Sequence, residues 1–280
     1  MAASTGPISL TVHGAAGRMG RRVVALGLAD PDFQLVGAID HGQSDQLGKD
    51  AGAVAGEAPA GIEISSDWPA TGDKNTPQAV VDFSLPEAVD GCIAHCVQAG
   101  SPLVVATTGL SDQQKQSLSD AAASIPVVWA PSMSLAVNLS MKIAEQITAA
   151  LKDVSGGLDV EILERHHRFK ADAPSGTALK FGELIAGQLG ESTTHVHGRE
   201  GHTGARTREE IGYHAIRVGD NPGEHTIVFG MLGEKIELNV AASNRDCYAS
   251  GALAAAKWLI HENKPAGLYS MFDVLGMSQD

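Results

Sequence analysis

The chain has 280 residues, of which 43% are hydrophobic, and its formal net charge is -13. This size predicts a globular protein of two domains, because single cores rarely grow beyond about 250 residues. The acidic balance disfavours a nucleic-acid partner, since phosphate contacts need a broad basic face. No stretch approaches the roughly eighteen apolar residues of a membrane span, and the start resembles no leader, so we expect a cytoplasmic protein without membrane contact.

The first predicted unit is a strand, a glycine-rich turn and a helix. Residues 8–12 alternate and favour a strand, and they lead directly into the sequence HGAAGRMG. Gly14, Gly17 and Gly20 allow a tight turn, the close approach of a pyrophosphate and packing of the helix on the strand. The spacing is GxxGxxG rather than the strict dinucleotide fingerprint, so taken alone this segment could equally be a structural turn.

A second predicted strand, Phe33 to Ile39, ends at Asp40. At that position a carboxylate could accept hydrogen bonds from an adenosine ribose, or it could simply begin a turn. The segment from Gly48 to Gly61 is rich in glycine and alanine and is expected to be a loop with one helical turn.

Three further strand–helix units follow, with strands over residues 79–83, 103–106 and 127–129. This alternation predicts a Rossmann-like, doubly wound parallel sheet in an α/β protein. Such sheets bind ligands beyond the carboxyl ends of their strands. The residues that follow these strand ends and are expected to line a nicotinamide pocket are Phe83, Ala106, Thr107, Thr108, Ala130, Pro131, Ser132 and Met133.

The second half begins near Leu151, where a glycine-containing break is followed by an alternating strand from Leu158. That strand runs into ERHHRFKADAPSGTA, residues 164–178, in which five of the six side chains from Arg165 to Lys170 are basic or can become so. In an acidic chain this run predicts a pocket for a small anion, although a solvated basic patch is the alternative. Residues 172–177 predict a loop that enters a helix, whose free N–H groups attract carboxylate or phosphate.

The remaining pattern predicts a second α/β domain with a mixed or antiparallel sheet. Helix 178–189 is followed by strands over 211–218, 225–231 and 235–240, and residues 195–204 are expected to be a long loop. That loop could line the site or brace a subunit contact.

The histidines and cysteines raise the question of a metal. His166, His195 and His197 could supply three zinc ligands, but no HExxH or cysteine-rich spacing supports them and Lys170 would oppose a cation, so no metal is predicted. The three cysteines show no CxxC pairing and are expected to be buried thiols.

Taken together, these motifs resemble the 4-hydroxy-tetrahydrodipicolinate reductase family, also called dihydrodipicolinate reductase, of bacterial lysine and diaminopimelate biosynthesis. The resemblance covers nearly the whole chain and is most specific over residues 164–178. It implies catalytic roles for His166 and Lys170. It implies substrate contacts from His167, Ser175, Gly176 and Thr177. Beyond the strand-end residues above, it implies cofactor contacts from Gly14, Ala15, Ala16, Gly17, Arg18, Met19, Asp40 and Arg245.

The resemblance also implies an organisation and a reaction. Residues 1–134 and 244–280 would form the dinucleotide-binding domain, and residues 135–243 a substrate-binding domain that assembles a homotetramer. The reaction would transfer hydride from NADH or NADPH to a conjugated ring imine carrying two carboxylates, with loss of water. His41 and Leu85 stand where relatives often carry arginine, and Asp40 would repel a 2′-phosphate, so we expect a preference for NADH.

Two other functions stay open at this point. The chain could be a different nicotinamide-dependent dehydrogenase, acting on an amino acid or its semialdehyde. It could also be a nucleotide-sensing regulatory protein, whose second domain would need no proton donors.

Overall fold

The structure is a computed structural model that describes residues 6–69 and 78–278. The strands in these ranges are β1 (Ile8–His13), β2 (Phe33–Ile39), β3 (Ile64–Ser65), β4 (Ala79–Asp82), β5 (Leu103–Val105), β6 (Pro126–Trp129), β7 (Asp159–His166), β8 (Thr194–His197), β9 (Glu210–Arg217), β10 (Glu224–Met231), β11 (Glu234–Ala241) and β12 (Gly267–Tyr269). The helices are α1 (Arg18–Ala29), α2 (Ala51–Ala55), α3 (Pro86–Ala99), α4 (Asp112–Ala121), α5 (Leu135–Leu151), α6 (Gly176–Leu189), α7 (Asp246–His261) and α8 (Met271–Val274).

The chain divides into two compact units, residues 1–135 with 245–280 and residues 136–244. The first of these, the nucleotide unit, contains a sheet in the order β12-β6-β5-β4-β1-β2-β3, and each of its strand pairs is parallel. The helix α7 therefore lies in the same unit as the N-terminal strands, although more than a hundred residues of the other unit separate them in sequence.

Helices cover both faces of this sheet because successive side chains of a strand point to opposite sides. Val81, Val104 and Val128 belong to a core that includes residues of α1 and α7. Their neighbours Val80, Leu103, Val105 and Val127 belong to a second core with residues of α3 and α4. The predicted Rossmann-like, doubly wound sheet is thus confirmed, and its strands are apolar on both faces.

The second unit, the substrate unit, contains a sheet in the order β11-β10-β7-β9-β8. β10 is antiparallel to β7 and β11, whereas β9 is parallel to β7 and β8, so the predicted mixed sheet is confirmed. The helix α6 contacts β7 and β9, and its side chains Phe181 and Ile185 are fully buried.

Two sequence expectations need correction. The predicted loop over 195–204 begins with the strand β8, which pairs in parallel with β9 from Thr194↔Glu210 to His197↔Tyr213. Pairing with a strand distant in sequence, rather than local pattern, creates this element. Of the three cysteines, Cys92 and Cys96 are buried as expected, but Cys247 is only half-buried. Among the described residues, none of the helices has the length and apolarity to cross a membrane.

Candidate functional site

The glycine turn between β1 and α1 packs closely against its neighbours and leaves the first N–H groups of α1 open to a ligand. Gly14 adopts φ +77°, and a Cβ at this position would lie 2.6 Å from the carbonyl oxygen of Phe83. Gly20 has no space for a Cβ beside the Gly14 carbonyl. The N-cap residue Gly17 supplies no side-chain hydrogen bond to α1, so the first N–H groups of the helix are available to an anion.

Asp40 ties this turn to the end of β2. Its Oδ2 accepts a hydrogen bond from the Ala16 N–H (2.8 Å), its Oδ1 accepts one from the His41 N–H (2.9 Å), and only 8% of the residue is exposed. The acidic residue predicted to meet a ribose therefore lies against the predicted phosphate turn. A short distance between these two groups is what a dinucleotide requires.

A cavity of about 780 Å³ opens above this edge of the sheet. Most of the predicted cofactor residues line it, namely Gly14, Ala16, Gly17, Arg18, Met19, Asp40, Phe83, Ala106, Thr107, Thr108, Pro131, Ser132 and Met133. Ala15 and Ala130 are buried and are not among the lining residues, and Arg245 is the N-cap of α7 rather than part of the lining. The size of the cavity and the available N–H groups at the start of α1 fit a nicotinamide dinucleotide.

The cavity also contains groups that sequence reasoning missed. His13 lines it, and its Nδ1 lies 2.7 Å from Oδ1 of Asp82, a fully buried carboxylate at the end of β4. The Thr107 hydroxyl donates to Oδ2 of the same carboxylate at 2.6 Å. Their position at strand ends was the available signal, because ligands bind at that edge of a parallel sheet.

Cys92 lies close enough to His13 and Asp82 for their ligand-type atoms to fall within 4.8 Å of one another. Burial raises the pKa of the Cys92 thiol well above its ordinary value, so the thiol is protonated in the folded chain. The histidines weighed earlier as zinc ligands have other partners, since His195 Nδ1 lies 2.7 Å from the Tyr213 hydroxyl and His166 Nδ1 faces a glutamate.

In the substrate unit, the basic run begins at the end of β7. Glu164 and His166 are both buried on this strand, and His166 Nδ1 lies 2.5 Å from Glu164 Oε2. Arg217, at the end of the neighbouring strand β9, donates from Nη1 to Oε2 and from Nη2 to Oε1 of Glu164, each at 2.8 Å. Neither Glu164 nor Arg217 was predicted as a functional residue. A pairing across 53 residues leaves no local signal.

The predicted anion loop does enter a helix, and α6 begins at Gly176 rather than at residue 178. Ser175 is its N-cap, and the Ser175 Oγ accepts a hydrogen bond from the Ala178 N–H at 3.2 Å. No acidic side chain lies in the first turn. The N–H groups of Gly176 and Thr177 lack intrahelical acceptors by their position, so these two groups, the α6 cradle, are available to an anion.

Lys170 and His167 complete this group. The Lys170 ammonium donates to both carboxylate oxygens of Asp172, at 2.7 and 2.9 Å. His167 Nδ1 is buried and has no hydrogen-bond partner in the described part of the chain. The six residues predicted to be catalytic or to bind substrate thus lie within one strand end, one loop and one helix N terminus.

The protonation of this cluster follows from burial and pairing. Burial lowers the pKa of His166 despite its contact with Glu164, and the charges of Lys170 and Arg217 lower it further, so the free imidazole is neutral near pH 7. Burial alone would raise the pKa of Glu164, but hydrogen bonds from Arg217 and His166 hold it below its ordinary value. Burial and the neighbouring His166 lower the pKa of His225 to about 4.

His225 gives a testable pH dependence. Its Nε2 lies 3.1 Å from Ser175 Oγ, and its pKa of about 4 in the fold is below the ordinary 6.5 of the unfolded chain. As the pH falls, His225 therefore takes up a proton in the unfolded chain before it does so in the folded protein. The stability contributed by neutral His225 is full above pH 6.5 and is lost as the pH falls toward 4.

We expect urea unfolding to report a loss of about 1–3 kcal/mol from this group across that range. His225→Gln keeps a donor for Ser175 but cannot titrate, so its unfolding free energy should fall less steeply with pH. The control is His261→Gln, an exposed position in the last turn of α7. Equal slopes for wild type and His225→Gln would contradict a buried neutral His225.

Comparisons with known proteins agree with this geometry. A family model described as the N-terminus of dihydrodipicolinate reductase matches residues 8–133, and one described as its C-terminus matches residues 136–275. A 4-hydroxy-tetrahydrodipicolinate reductase from Rhodopirellula baltica is 89% identical over 280 residues, which is 100% of both chains. The same enzyme from Halorhodospira halophila is 42% identical over 96% of this chain and 99% of the relative.

A solved structure gives the same result. The dipicolinate-bound dihydrodipicolinate reductase from Paenisporosarcina sp. TG-14 has a TM-score of 0.70 at 25% identity, over 95% of this chain and 98% of that chain. The fold and the cavity define a Rossmann-type, nicotinamide-dependent oxidoreductase. The chain belongs to the dihydrodipicolinate reductase family, the NAD(P)H-dependent reductases of lysine and diaminopimelate biosynthesis, and the resemblance seen in the sequence is confirmed.

Proposed function

We propose that this protein reduces 4-hydroxy-tetrahydrodipicolinate to tetrahydrodipicolinate, with His166 and Lys170 as catalytic residues and His167, Ser175, Gly176 and Thr177 as substrate contacts. One observation carries the assignment: the basic end of β7 and the N–H groups of Gly176 and Thr177 at the start of α6 lie in one cluster within an otherwise acidic chain. The structure with bound dipicolinate, a planar ring with two carboxylates, supports a substrate of this class.

The reaction consumes the substrate, one NAD(P)H and one proton, and releases the reduced ring, NAD(P)⁺ and water. The nicotinamide supplies the hydride when it is bound in the cavity of the nucleotide unit. The remaining work belongs to the substrate unit. Gly176 and Thr177 hold a carboxylate, Lys170 and His166 stabilise the negative charge that develops in the ring, and one of them delivers the proton.

Lys170 and His166 enter this step in different states. The ammonium of Lys170 is held by Asp172 and must exchange that carboxylate for the substrate. His166 is neutral in the free protein, and a dianion bound beside it would raise the pKa of its imidazole. Substrate binding therefore draws Lys170 away from Asp172 and favours the protonated form of His166.

We propose the remaining cofactor contacts, including Ala15, Ala130 and Arg245, on the resemblance alone, and a preference for NADH over NADPH. The cavity rim after β2 supports this preference, because its residues Asp40, His41, Gln43, Ser44 and Asp45 include no lysine or arginine, whereas the arginines that line the cavity, Arg18 and Arg21, belong to α1. An acidic rim repels the 2′-phosphate of NADPH. We expect a lower KM for NADH, and a lower KM for NADPH in steady-state assays would refute the preference.

We also propose a cytoplasmic homotetramer assembled through the substrate unit. Several apolar side chains of this unit are exposed in the single chain, among them Val218 (54%) and Leu232 (86%), together with Ile216 and Ile236. Exposed apolar side chains favour association. In this proposal residues 1–134 with 244–280 bind the cofactor, and residues 135–243 bind substrate and partner subunits. Sedimentation at several concentrations tests the assembly.

The decisive assay mixes purified protein with NADH and the freshly made product of the preceding synthase, and follows the loss of NADH absorbance. We expect consumption that depends on this substrate. Turnover of an amino acid or a semialdehyde instead would favour the dehydrogenase alternative. Cofactor binding without turnover of any of these compounds would favour a nucleotide sensor.

A further inference from the structure

We propose that Glu164 and Arg217 are positioning residues for this reaction: their buried ion pair fixes the tautomer of His166 and joins it to the carboxylate cradle of α6. The inference rests on the proposed role of His166. Neither residue needs to touch substrate.

The Glu164 carboxylate is fully used. Only 1% of the residue is exposed, and each oxygen has two hydrogen-bond partners. Oε2 accepts from Arg217 Nη1 at 2.8 Å and faces His166 Nδ1 at 2.5 Å. Oε1 accepts from Arg217 Nη2 at 2.8 Å and from the Ser175 N–H at 3.1 Å. One carboxylate therefore contacts both the proposed proton donor and the N-cap of the proposed cradle.

This contact selects one tautomer of His166. An ionised carboxylate only accepts hydrogen bonds, so the imidazole must carry its proton on Nδ1 and keep the lone pair on Nε2. Nε2 lies beside Gly223, where a Cβ would come within 2.9 Å of it. The absence of a side chain at Gly223 leaves room at the nitrogen that gains and releases a proton.

Arg217 sets how strongly the Glu164 carboxylate raises the pKa of His166. A lone buried carboxylate would pull a proton onto His166, but the two-point pairing with Arg217 neutralises it. The other charged or titratable groups around His166 are Arg165 and Glu224, paired with each other at 3.5 Å, Lys170 with Asp172, and the neutral His225. His166 can thus rest neutral and become a cation only when the dianionic substrate arrives.

The same ion pair holds the loop between Asp172 and Ser175. Arg217 Nη2 also donates to the backbone carbonyl oxygen of Asp172 at 2.6 Å, and Glu164 Oε1 accepts from the backbone of Ser175. Both ends of the turn that precedes α6 are therefore anchored to one ion pair. A change in the pair should move both the proton donor and the cradle.

The experiment compares Glu164→Gln and Arg217→Gln by NMR of protein labelled with ¹⁵N-histidine, where His166→Gln assigns the His166 signal. In wild type we expect the Nδ1–H tautomer. In Glu164→Gln the new amide faces Nδ1 with a donor, so we expect the Nε2–H tautomer and a lower pKa of His166. In Arg217→Gln the uncompensated carboxylate should raise the pKa of His166.

The opposite directions of these two pKa changes distinguish a positioning role from a general loosening of the site. A loosened site would expose His166 in both variants and move its pKa upward in both, toward the ordinary value. The matched control is Glu161→Gln on the same strand, because Glu161 also accepts two hydrogen bonds from an arginine, Arg199, and contacts a histidine, His214. This variant should leave His166 and kcat unchanged.

For Glu164→Gln we expect kcat to fall about 10²-fold or more, as removal of a correctly oriented proton donor does, and KM for the substrate to rise as well. An Nε2–H tautomer of His166 in wild type, which is observed without any change to Glu164 or Arg217, would overturn the inference. An active wild type together with a fully active, folded Glu164→Gln would also overturn it. An inactive wild type with the expected tautomer would instead count against the proposed function.

Discussion

Lys170→Ala is expected to lower kcat about 10²–10⁴-fold, the usual contribution of a positioned acid. The Lys170 side chain pairs with Asp172 as a cation, whereas the free His166 is neutral. Losing this cation removes both charge stabilisation and a proton source. KM for the dicarboxylate should also rise, because one positive contact with the anion is lost. His166→Ala should mainly lower kcat.

Steady-state kinetics with saturating NADH measure the effect. Lys180→Ala is the matched control, since this lysine lies on α6 and pairs at 2.7 Å with the neighbouring Glu183 in the same way as Lys170 pairs with Asp172. The control should keep wild-type kcat. An unchanged kcat for Lys170→Ala or for His166→Ala would remove that residue from the chemistry.

Gly14→Ala is expected to weaken NADH binding about 10- to 100-fold, because strain of this kind costs about 1–3 kcal/mol. The backbone at φ +77° disfavours any side chain, and the new methyl group would lie 2.6 Å from the Phe83 carbonyl oxygen. Relief requires the turn and the end of β4 to separate. That movement changes the distance between the N terminus of α1 and Asp40, which the cofactor must span.

Fluorescence titration with NADH measures this loss, and Gly91→Ala is its control. Gly91 lies within α3, and a Cβ there would meet no atom within 4 Å. The control should bind NADH normally and gain about 0.5–1 kcal/mol of stability, because alanine is the better helix former. Normal NADH affinity in Gly14→Ala would show that the turn is not a cofactor cradle.

Much of the nucleotide unit could be predicted because its signals are local. The strand over Phe33–Ile39 is predicted with the bounds that the structure has. From Leu35 onward its residues are apolar or glycine up to the acidic Asp40, which is typical of a parallel strand buried on both faces. Gly14 and Ser175 are equally readable, because a tight turn and a helix N terminus each favour a small set of residues.

The parts that the sequence does not predict depend on pairing between distant segments. β8 forms only because residues 194–197 pair with β9. In the sequence, Arg217 is an ordinary polar residue at a strand end. Its role depends on the pairing of β9 with β7, which brings it to Glu164. The role of the buried Asp82 likewise depends on its hydrogen bonds with His13 and Thr107, which lie at two neighbouring strand ends.

The most direct test of the account is a crystal structure of the protein with NADH and pyridine-2,6-dicarboxylate. We predict that one carboxylate accepts hydrogen bonds from the N–H groups of Gly176 and Thr177, and that Lys170 has left Asp172 to contact the ligand. A dicarboxylate bound away from the segment between His166 and Thr177, with the Lys170–Asp172 pair intact, would contradict it.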